Sequence, residues 1–330
     1  MKILTIGTSV ITKHFSDAVM KSKYSTIEAV YSRDLEKAKS FAKTYNSMAY
    51  DNLSEALNDK NVNTVYVASV NNLHYIHAKM ALKANKNVIL EKPTTHNAQE
   101  FKHLLEIAKR HHVIFIEAIT TLFLPNYLWI RNNIERIGDI KSVYAAYHQL
   151  SSKYEAYLNL KNPNVFTLTH SGGSLVDLNV YNLHFILSIF DNPKKAKYYP
   201  VLGYNGIDIS GVAILEYESF VAIASASKSH HGSQSIKIEG EFGTLEVNSA
   251  ANTLRQVMIK TKEGEITSEL IDTQNVLEYE VLVIEELVKE SNYEEIQRLN
   301  KLSLDVIDIM SSIRKEANII FKGDTDETLF

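Results

Sequence analysis

The sequence predicts an α/β chain in two parts: an N-terminal doubly wound parallel sheet, then a C-terminal α+β domain with a large, mostly antiparallel open sheet. Three observations carry this. Short β-rich runs alternate with helical stripes through roughly the first 117 residues, the form a parallel sheet with crossover helices takes in sequence. After Pro125 the alternation changes to strands of period two separated by turn residues, as an antiparallel sheet requires. The 330 residues also amount to about two ordinary domains. We place the first domain at 1–121 and the second at 122–298, with a helix at 299–321 returning to the first.

Ile3–Ile6 opens the chain as a strand: the run is broken by Gly7 and carries no small-residue cleavage site. Gly7-Thr8-Ser9-Val10-Ile11-Thr12 then forms a turn where a dinucleotide fingerprint would lie. In G-x-G-x-x-G/A the glycines serve the tight turn, the approach of backbone to pyrophosphate, and close helix–strand packing. Only the first is present, and Gly7 is the sole glycine before Gly138. Ser9 puts a Cβ where phosphate would approach, but its hydroxyl can donate to the same oxygens, and a helix N-terminus favours an anion. A cofactor turn over Gly7, Thr8, Ser9, Val10 and Ile11 and a purely structural βα turn both fit these letters.

The second strand, Ile27–Tyr31, ends in Ser32-Arg33-Asp34, where a ribose-binding acid usually stands. Ser32 with Arg33 favours a cofactor carrying a 2′-phosphate, because a guanidinium forks onto phosphate oxygens; a surface arginine opening the next helix is the other reading. Asp34 is expected to cap that helix. Thr64–Ala68, Val88–Leu90 and Val113–Ile116 continue the sheet as nearly unbroken apolar runs, as strands covered on both faces do. Ala38, Phe41, Ala42 and Tyr45, like Phe101, Leu104, Leu105 and Ala108, are core faces of the helices between. The run at Val88 closes on Glu91-Lys92-Pro93, at the carboxyl end of a parallel strand, where such sheets place ligands. A lysine desolvated there suits proton transfer with a substrate hydroxyl or carbonyl, whereas an exposed Glu–Lys pair would be a loop feature only.

In the second domain, strands are expected at Ser142–His148, Gly211–Tyr217, Val221–Ser227, Ser235–Glu239 and Thr244–Val247. Gly172-Gly173 marks a turn into a helix on which Asp177, Tyr181 and His184 fall at i, i+4 and i+7 on one face, an acid, a phenol and an imidazole suited to proton exchange with a polyol. His184 reads equally as a structural helix histidine. Two helices close the chain, with stripes at Leu277, Val281, Ile284 and Val288 and at Leu302, Val306, Ile309, Met310 and Ile313, and the tail Lys322–Phe330 is expected to fray.

With these motifs in order, the chain resembles, over nearly its whole length, the glucose–fructose oxidoreductase, inositol dehydrogenase and rhizopine-catabolism family, Gfo/Idh/MocA. Glu91-Lys92-Pro93 is similar to its E-K-P signature, Val70-Asn71-Asn72-Leu73-His74 to its P-N-x-x-H segment with Val for Pro, Ile116-Glu117-Ala118 to its strand into the second domain, Ile137-Gly138-Asp139-Ile140 to its I-G-x-I, and Gly172–Tyr181 to its G-G-x-L-x-D-x-x-x-[HY]. The resemblance implies a Rossmann domain followed by an open-sheet domain, and hydride transfer between a CH–OH carbon of a sugar, polyol or trans-dihydrodiol and NADP(H), or NAD(H). It implies Lys92 and Tyr181 as the groups handling the hydroxyl proton, with Asp177 and His184 beside them. Asn71, His74, Glu91 and Lys92 join Gly7–Ile11, Ser32 and Arg33 in cofactor binding. It further implies a homodimer or homotetramer built on the second sheet, where Val212, Ile214 and Glu216 alternate with Ala213, Leu215 and Tyr217. Asn179 and Asn318 stand where the family commonly has glycine; asparagine tolerates positive φ next best, so the backbone option is kept.

Composition narrows the alternatives. A net charge of −4 with no basic run argues against a nucleic-acid partner, the absence of cysteine removes disulfides and thiolate chemistry and fits a reducing cytoplasm, and no apolar run reaches the 18 or so residues of a membrane span. His111-His112 and His230-His231 lack metal-ligand spacing and read as exposed or loop positions, so no metal is expected. A nucleotide-sensing regulatory protein on the same scaffold, as in a galactose-pathway repressor similar to this family, is the rival reading. A biliverdin-reductase-like enzyme would not require the Asp177/Tyr181 stripe.

Overall fold

A computed structural model describes residues 1–324, in two compact units: Met1–Ala118 with Asn275–Leu304, and Ile119–Gln274 with the chain from Asp305 on. In the first unit β1 (Lys2–Ile6), α1 (Val10–Val19), β2 (Thr26–Tyr31), α2 (Leu35–Tyr45), β3 (Met48–Tyr50), α3 (Leu53–Leu57), β4 (Thr64–Val67), α4 (His74–Lys83), β5 (Asn87–Glu91), α5 (Ala98–His111) and β6 (Phe115–Ala118) succeed one another. The strands make one six-stranded sheet in the order β3-β2-β1-β4-β5-β6, parallel throughout. Ile3, Leu4, Val30, Val65, Tyr66, Val67 and Leu90 are fully buried, because helices cover both faces. The strand order reverses between β1 and β4, so the crevice beyond their carboxyl ends is where a ligand of this fold sits.

Local chemistry explains how so glycine-poor a unit turns its corners. Asp34 caps α2 as expected, accepting from Glu36 N and Lys37 N at 3.1 and 3.2 Å, and Asn97 caps α5 through Glu100 N at 3.0 Å. At the other helix ends Asn46 and His112 take the left-handed conformation, with φ of 52° and 54°, a role usually given to glycine. Gly7 is therefore not the unit's only left-handed position.

The second unit holds α6 (Pro125–Asn133), β7 (Ile140–His148), α7 (Tyr154–Leu158), a π-helical turn at Leu175–Asn179 leading into α8 (Val180–Phe190), and then β8 (Lys195–Leu202), β9 (Asp208–Glu216), β10 (Val221–Ser227), β11 (Gln234–Gly240), β12 (Gly243–Val247), β13 (Val257–Thr261) and β14 (Gly264–Thr267). Its eight-stranded sheet runs β14-β13-β12-β11-β7-β10-β9-β8 and is antiparallel except where β7 pairs with β10. Val143, Ala145, Ala222, Ala224, Ala213 and Leu215 point to the buried face. On the opposite face Lys237, Tyr144, Ile223, Ile214 and Lys197 form one cross-strand row, an apolar centre flanked by lysines.

After β14 the chain adds α9 (Leu277–Glu290) and α10 (Tyr293–Glu316). α9 belongs to the first unit, where Glu285 accepts from Ser22 and Ser25. Early in α10, Asn300 Nδ2 donates to Phe115 O at 2.9 Å. The division between the units falls within α10. Lys322–Asp324, expected to fray, instead forms a helical turn: buried Arg314 forks onto the Asp324 carboxylate at 2.7 and 2.9 Å and lies 3.9 Å over the Phe321 ring. The rest of that expected tail lies outside the described residues. Asn318 has φ 59°, as expected of a glycine substitute, whereas Asn179 has φ −70° and needs no such tolerance. Asn179 is there for its amide, which donates to Ala224 O at 2.9 Å.

Candidate functional site

In the first unit the loops at the sheet's reversal point meet. Gly7 has φ +114°, and a Cβ on it would stand 2.6 Å from the Ala68 carbonyl oxygen, so only glycine lets the turn after β1 pass the end of β4. Ser9 is the N-cap of α1, its Oγ accepting from Thr12 N at 3.4 Å and lying 3.0 Å from Thr12 Oγ1. Thr8 is half-buried, and Val10 is 72% exposed. A glycine-tight turn opening onto a capped helix N-terminus is a cradle that fits a dinucleotide pyrophosphate.

At the end of β2, Ser32 Oγ accepts from Asp34 N at 3.2 Å and Arg33 is exposed. Sequence reasoning missed their neighbour His77 on α4. It packs edge-on to Tyr31 with centroids 6.4 Å apart and shares a 3.0 Å hydrogen bond with Ser69 Oγ. Burial and then the Arg33 charge pull its pKa down to about 4, so it is neutral at physiological pH. Asn71 opens the short helical turn after β4. His74, expected to contact a cofactor, is instead 1% exposed, with Nδ1 2.9 Å from Pro93 O and Nε2 2.9 Å from Ser69 O. It clasps the loops after β4 and β5 together, and burial takes its pKa to about 4.

Lys92 is half-buried just beyond β5. Its backbone N donates to Glu91 Oε2 at 3.2 Å, and Tyr66 Oη donates to Glu91 Oε1 at 2.5 Å, while the Tyr66 ring stacks flat on Phe15 at 3.7 Å. Burial raises the pKa of Glu91 and the Lys92 charge opposes that rise. The E-K-P segment is thus anchored from the sheet interior, with the lysine at its edge.

In the second unit the expected single α-helical face is interrupted. Leu175–Asn179 is a π turn, whose i→i+5 bonds change the register between Asp177 and the body of α8. Asp177 is part-exposed and paired with Lys228. Tyr181 is 8% exposed, its ring 6.1 Å from that of Tyr147, whose hydroxyl lies 3.3 Å from both Gln149 Oε1 and Asn252 Nδ2. His184 is fully buried in α8.

The start of this helix is tied to the sheet by groups distant in sequence. Asp208 on β9 accepts from Leu175 N at 2.7 Å and from Tyr198 Oη at 2.8 Å, and Asn182 donates to Ser225 O at 3.1 Å. Asp208 is 2% exposed, and burial pushes its pKa up to about 6 against the pull of those donors and of Lys228. The folded-state value lies above the unfolded one, so its contribution to stability is complete below about pH 4 and is lost as the pH rises through about 6. Asp208→Asn is expected to be more stable relative to wild type at pH 7.5 than at pH 4 by about 2 kcal/mol, measured as the difference between urea-unfolding free energies. A difference independent of pH contradicts this.

Among the described residues no three His, Cys, Asp or Glu side chains are grouped to hold a metal ion, and no helix is long and apolar enough to cross a membrane. His230 and His231 are exposed, and His230 packs edge-on to His148 with centroids 5.2 Å apart.

Comparison with known proteins agrees with this architecture. A profile described as an oxidoreductase family with an NAD-binding Rossmann fold matches residues 1–119, and the GFO/IDH/MocA C-terminal domain matches residues 131–246. The chain is 31% identical to the scyllo-inositol 2-dehydrogenase (NADP(+)) IolU of Bacillus subtilis, over 98% of this chain and 99% of that one. It is 25% identical to the trans-1,2-dihydrobenzene-1,2-diol dehydrogenase of Sus scrofa, over 90% of each. The fold matches that of KijD10, a 3-ketoreductase from Actinomadura kijaniata solved with NADP and TDP-benzene, with a TM-score of 0.84 at 18% identity over 96% of this chain and 97% of that one. The chain therefore belongs to the Gfo/Idh/MocA family of oxidoreductases.

Proposed function

We propose that the protein is an NADP(H)-dependent dehydrogenase of a secondary hydroxyl on a polyol, sugar or trans-dihydrodiol, with the unit built on the six-stranded sheet holding the cofactor and the unit built on the eight-stranded sheet the substrate. One chain supplies a half-buried lysine at the end of a parallel strand in one unit, and a part-exposed carboxylate and a phenol on one helix in the other. That combination carries the reading. The named relatives, an NADP(+) inositol dehydrogenase and a dihydrodiol dehydrogenase, support the cofactor and substrate class.

The chemistry a bound nicotinamide supplies is hydride exchange at C4. Lys92 Nζ and Tyr181 Oη hold and move the hydroxyl proton, and Asp177 accepts a hydrogen bond that orients the substrate. Gly7 to Ile11 would hold the pyrophosphate, Asn71 would join them from the turn after β4, and Glu91 and His74 position the loops after β4 and β5. Ser32 and Arg33 take the 2′-phosphate: the exposed guanidinium stands at the end of β2 beside a neutral His77. The apolar row Tyr144–Ile223–Ile214 supports a homo-oligomer through the open sheet face, and the cysteine-free composition supports a cytoplasmic location.

The test is oxidation of inositols, aldoses and trans-dihydrodiols followed at the NADPH absorbance band. NADP+-dependent turnover of at least one class is expected. In the same assay Arg33→Ala is expected to lower kcat/KM for NADP+ by about 10²-fold, the scale of a lost charge-assisted phosphate contact, while NAD+ is little affected. Equal losses for both cofactors remove Arg33 from the phosphate site, and no turnover across the panel overturns the substrate class.

A further inference from the structure

Lys228 follows β10 and is only 2% exposed, in the second unit. A lysine is almost never buried without a partner, because desolvating an ammonium is costly. Its Nζ pairs with Asp177 Oδ2, donates to Val165 O at 3.0 Å and lies 4.9 Å from the centre of the Phe166 ring. Its backbone is fixed at both ends, N donating to Ile209 O and O accepting from Ser151 N, each at 2.9 Å. The two partners are unequal: the Asp177 side chain is 29% exposed and that of Lys228 3%. The carboxylate can reach a ligand and the ammonium cannot.

We propose that Lys228 is the positioning residue of Asp177, pinning one oxygen of a carboxylate whose side chain stays part-exposed and so fixing its aim. The inference rests on the reading that Asp177 works on the substrate. The same ammonium grips the loop carbonyl of Val165, which also accepts from Gly173 N at 3.1 Å, so the aim of the acid and the seat of the loop before it are set together. Titratable groups on the neighbouring elements include Asp208 of β9, on which the Lys228 charge also acts, with Tyr198 of β8 on its carboxylate, Tyr181 of α8, and His230 beside His148 of β7. Lys228 brings a positive charge onto Asp177.

The test uses the full chain with its cofactor and whichever substrate the panel identifies. Lys228→Met is expected to lower kcat by about 10–100-fold, the effect of a misaimed group, and to move the acidic limb of the kcat/KM profile to higher pH, because the carboxylate has lost its cation. Lys228→Arg, which keeps the charge, should recover most of both and serves if the methionine variant does not fold. In an Asp177→Asn background, Lys228→Met should add no further loss of kcat. An unmoved acidic limb, or a loss that adds fully in that background, overturns the inference. A fully active Asp177→Asn overturns the site reading and this inference together, whereas an inactive Asp177→Asn with an indifferent Lys228→Met overturns the inference alone.

Discussion

Lys92→Ala is expected to lower kcat by about 10²–10⁴-fold, the range for removing a positioned general acid–base, while the affinity for NADP(H) stays within a few-fold of wild type. The structure separates these two effects. The lysine's surroundings are built from the backbone and from Glu91, and the Tyr66 hydroxyl grips that carboxylate from within the sheet at 2.5 Å. The hydrogen bonds of this frame run from the Lys92 backbone N and from Tyr66 to Glu91, so truncating the Lys92 side chain leaves them, and the turn at Gly7 two strands away in the sheet, in place. Lys92→Arg should not rescue turnover, because a guanidinium keeps its proton at any working pH. The measurements are steady-state kcat and a fluorescence titration with NADPH. Turnover at wild-type level in the alanine variant would falsify the role given to Lys92.

An element is legible in the sequence where its signal is local. The central strands of the first sheet are buried on both faces and announce themselves as unbroken Val/Ile/Leu runs; β3, three residues at the sheet edge, has no such run. In the second sheet the alternation of Val143 and Ala145 with half-exposed neighbours exposes β7, whereas β8 carries Pro200 and β14 is exposed along its length. Edge strands bury less and tolerate proline, so they lose the period that identifies a strand. The site divides the same way. E-K-P and the paired glycines are contiguous and legible. Lys228 is 51 residues from Asp177 and Asp208 33 residues from Leu175, pairings that only the folded sheet creates. The π turn is hidden for another reason: its five residues differ from an α-helix in hydrogen-bond register and in nothing a sequence pattern records.

Gly173→Ala should be among the most damaging single-methyl substitutions in the second unit. Gly173 has φ +109°, which an L residue rarely adopts, and a Cβ there would stand 2.0 Å from Asp208 Oδ1. Asp208 cannot retreat, because its other oxygen is held by Leu175 N and Tyr198 Oη in a buried site. Backbone strain of about 1–3 kcal/mol and overpacking of about 1–3 kcal/mol therefore act together, a large share of the roughly 5–15 kcal/mol that holds a domain folded. Gly206→Ala is the internal control: its φ is +78°, but the nearest atom to a new Cβ is Leu168 Cδ1 at 3.8 Å, so only the strain applies. The expected order in urea unfolding is wild type, then Gly206→Ala, then Gly173→Ala. Placing Gly173→Ala in an Asp208→Ala background should reduce its cost to the strain alone, since the colliding carboxylate is gone. If Gly173→Ala is no worse than Gly206→Ala, the packing of Asp208 against this glycine does not constrain the start of the helix that carries Asp177 and Tyr181.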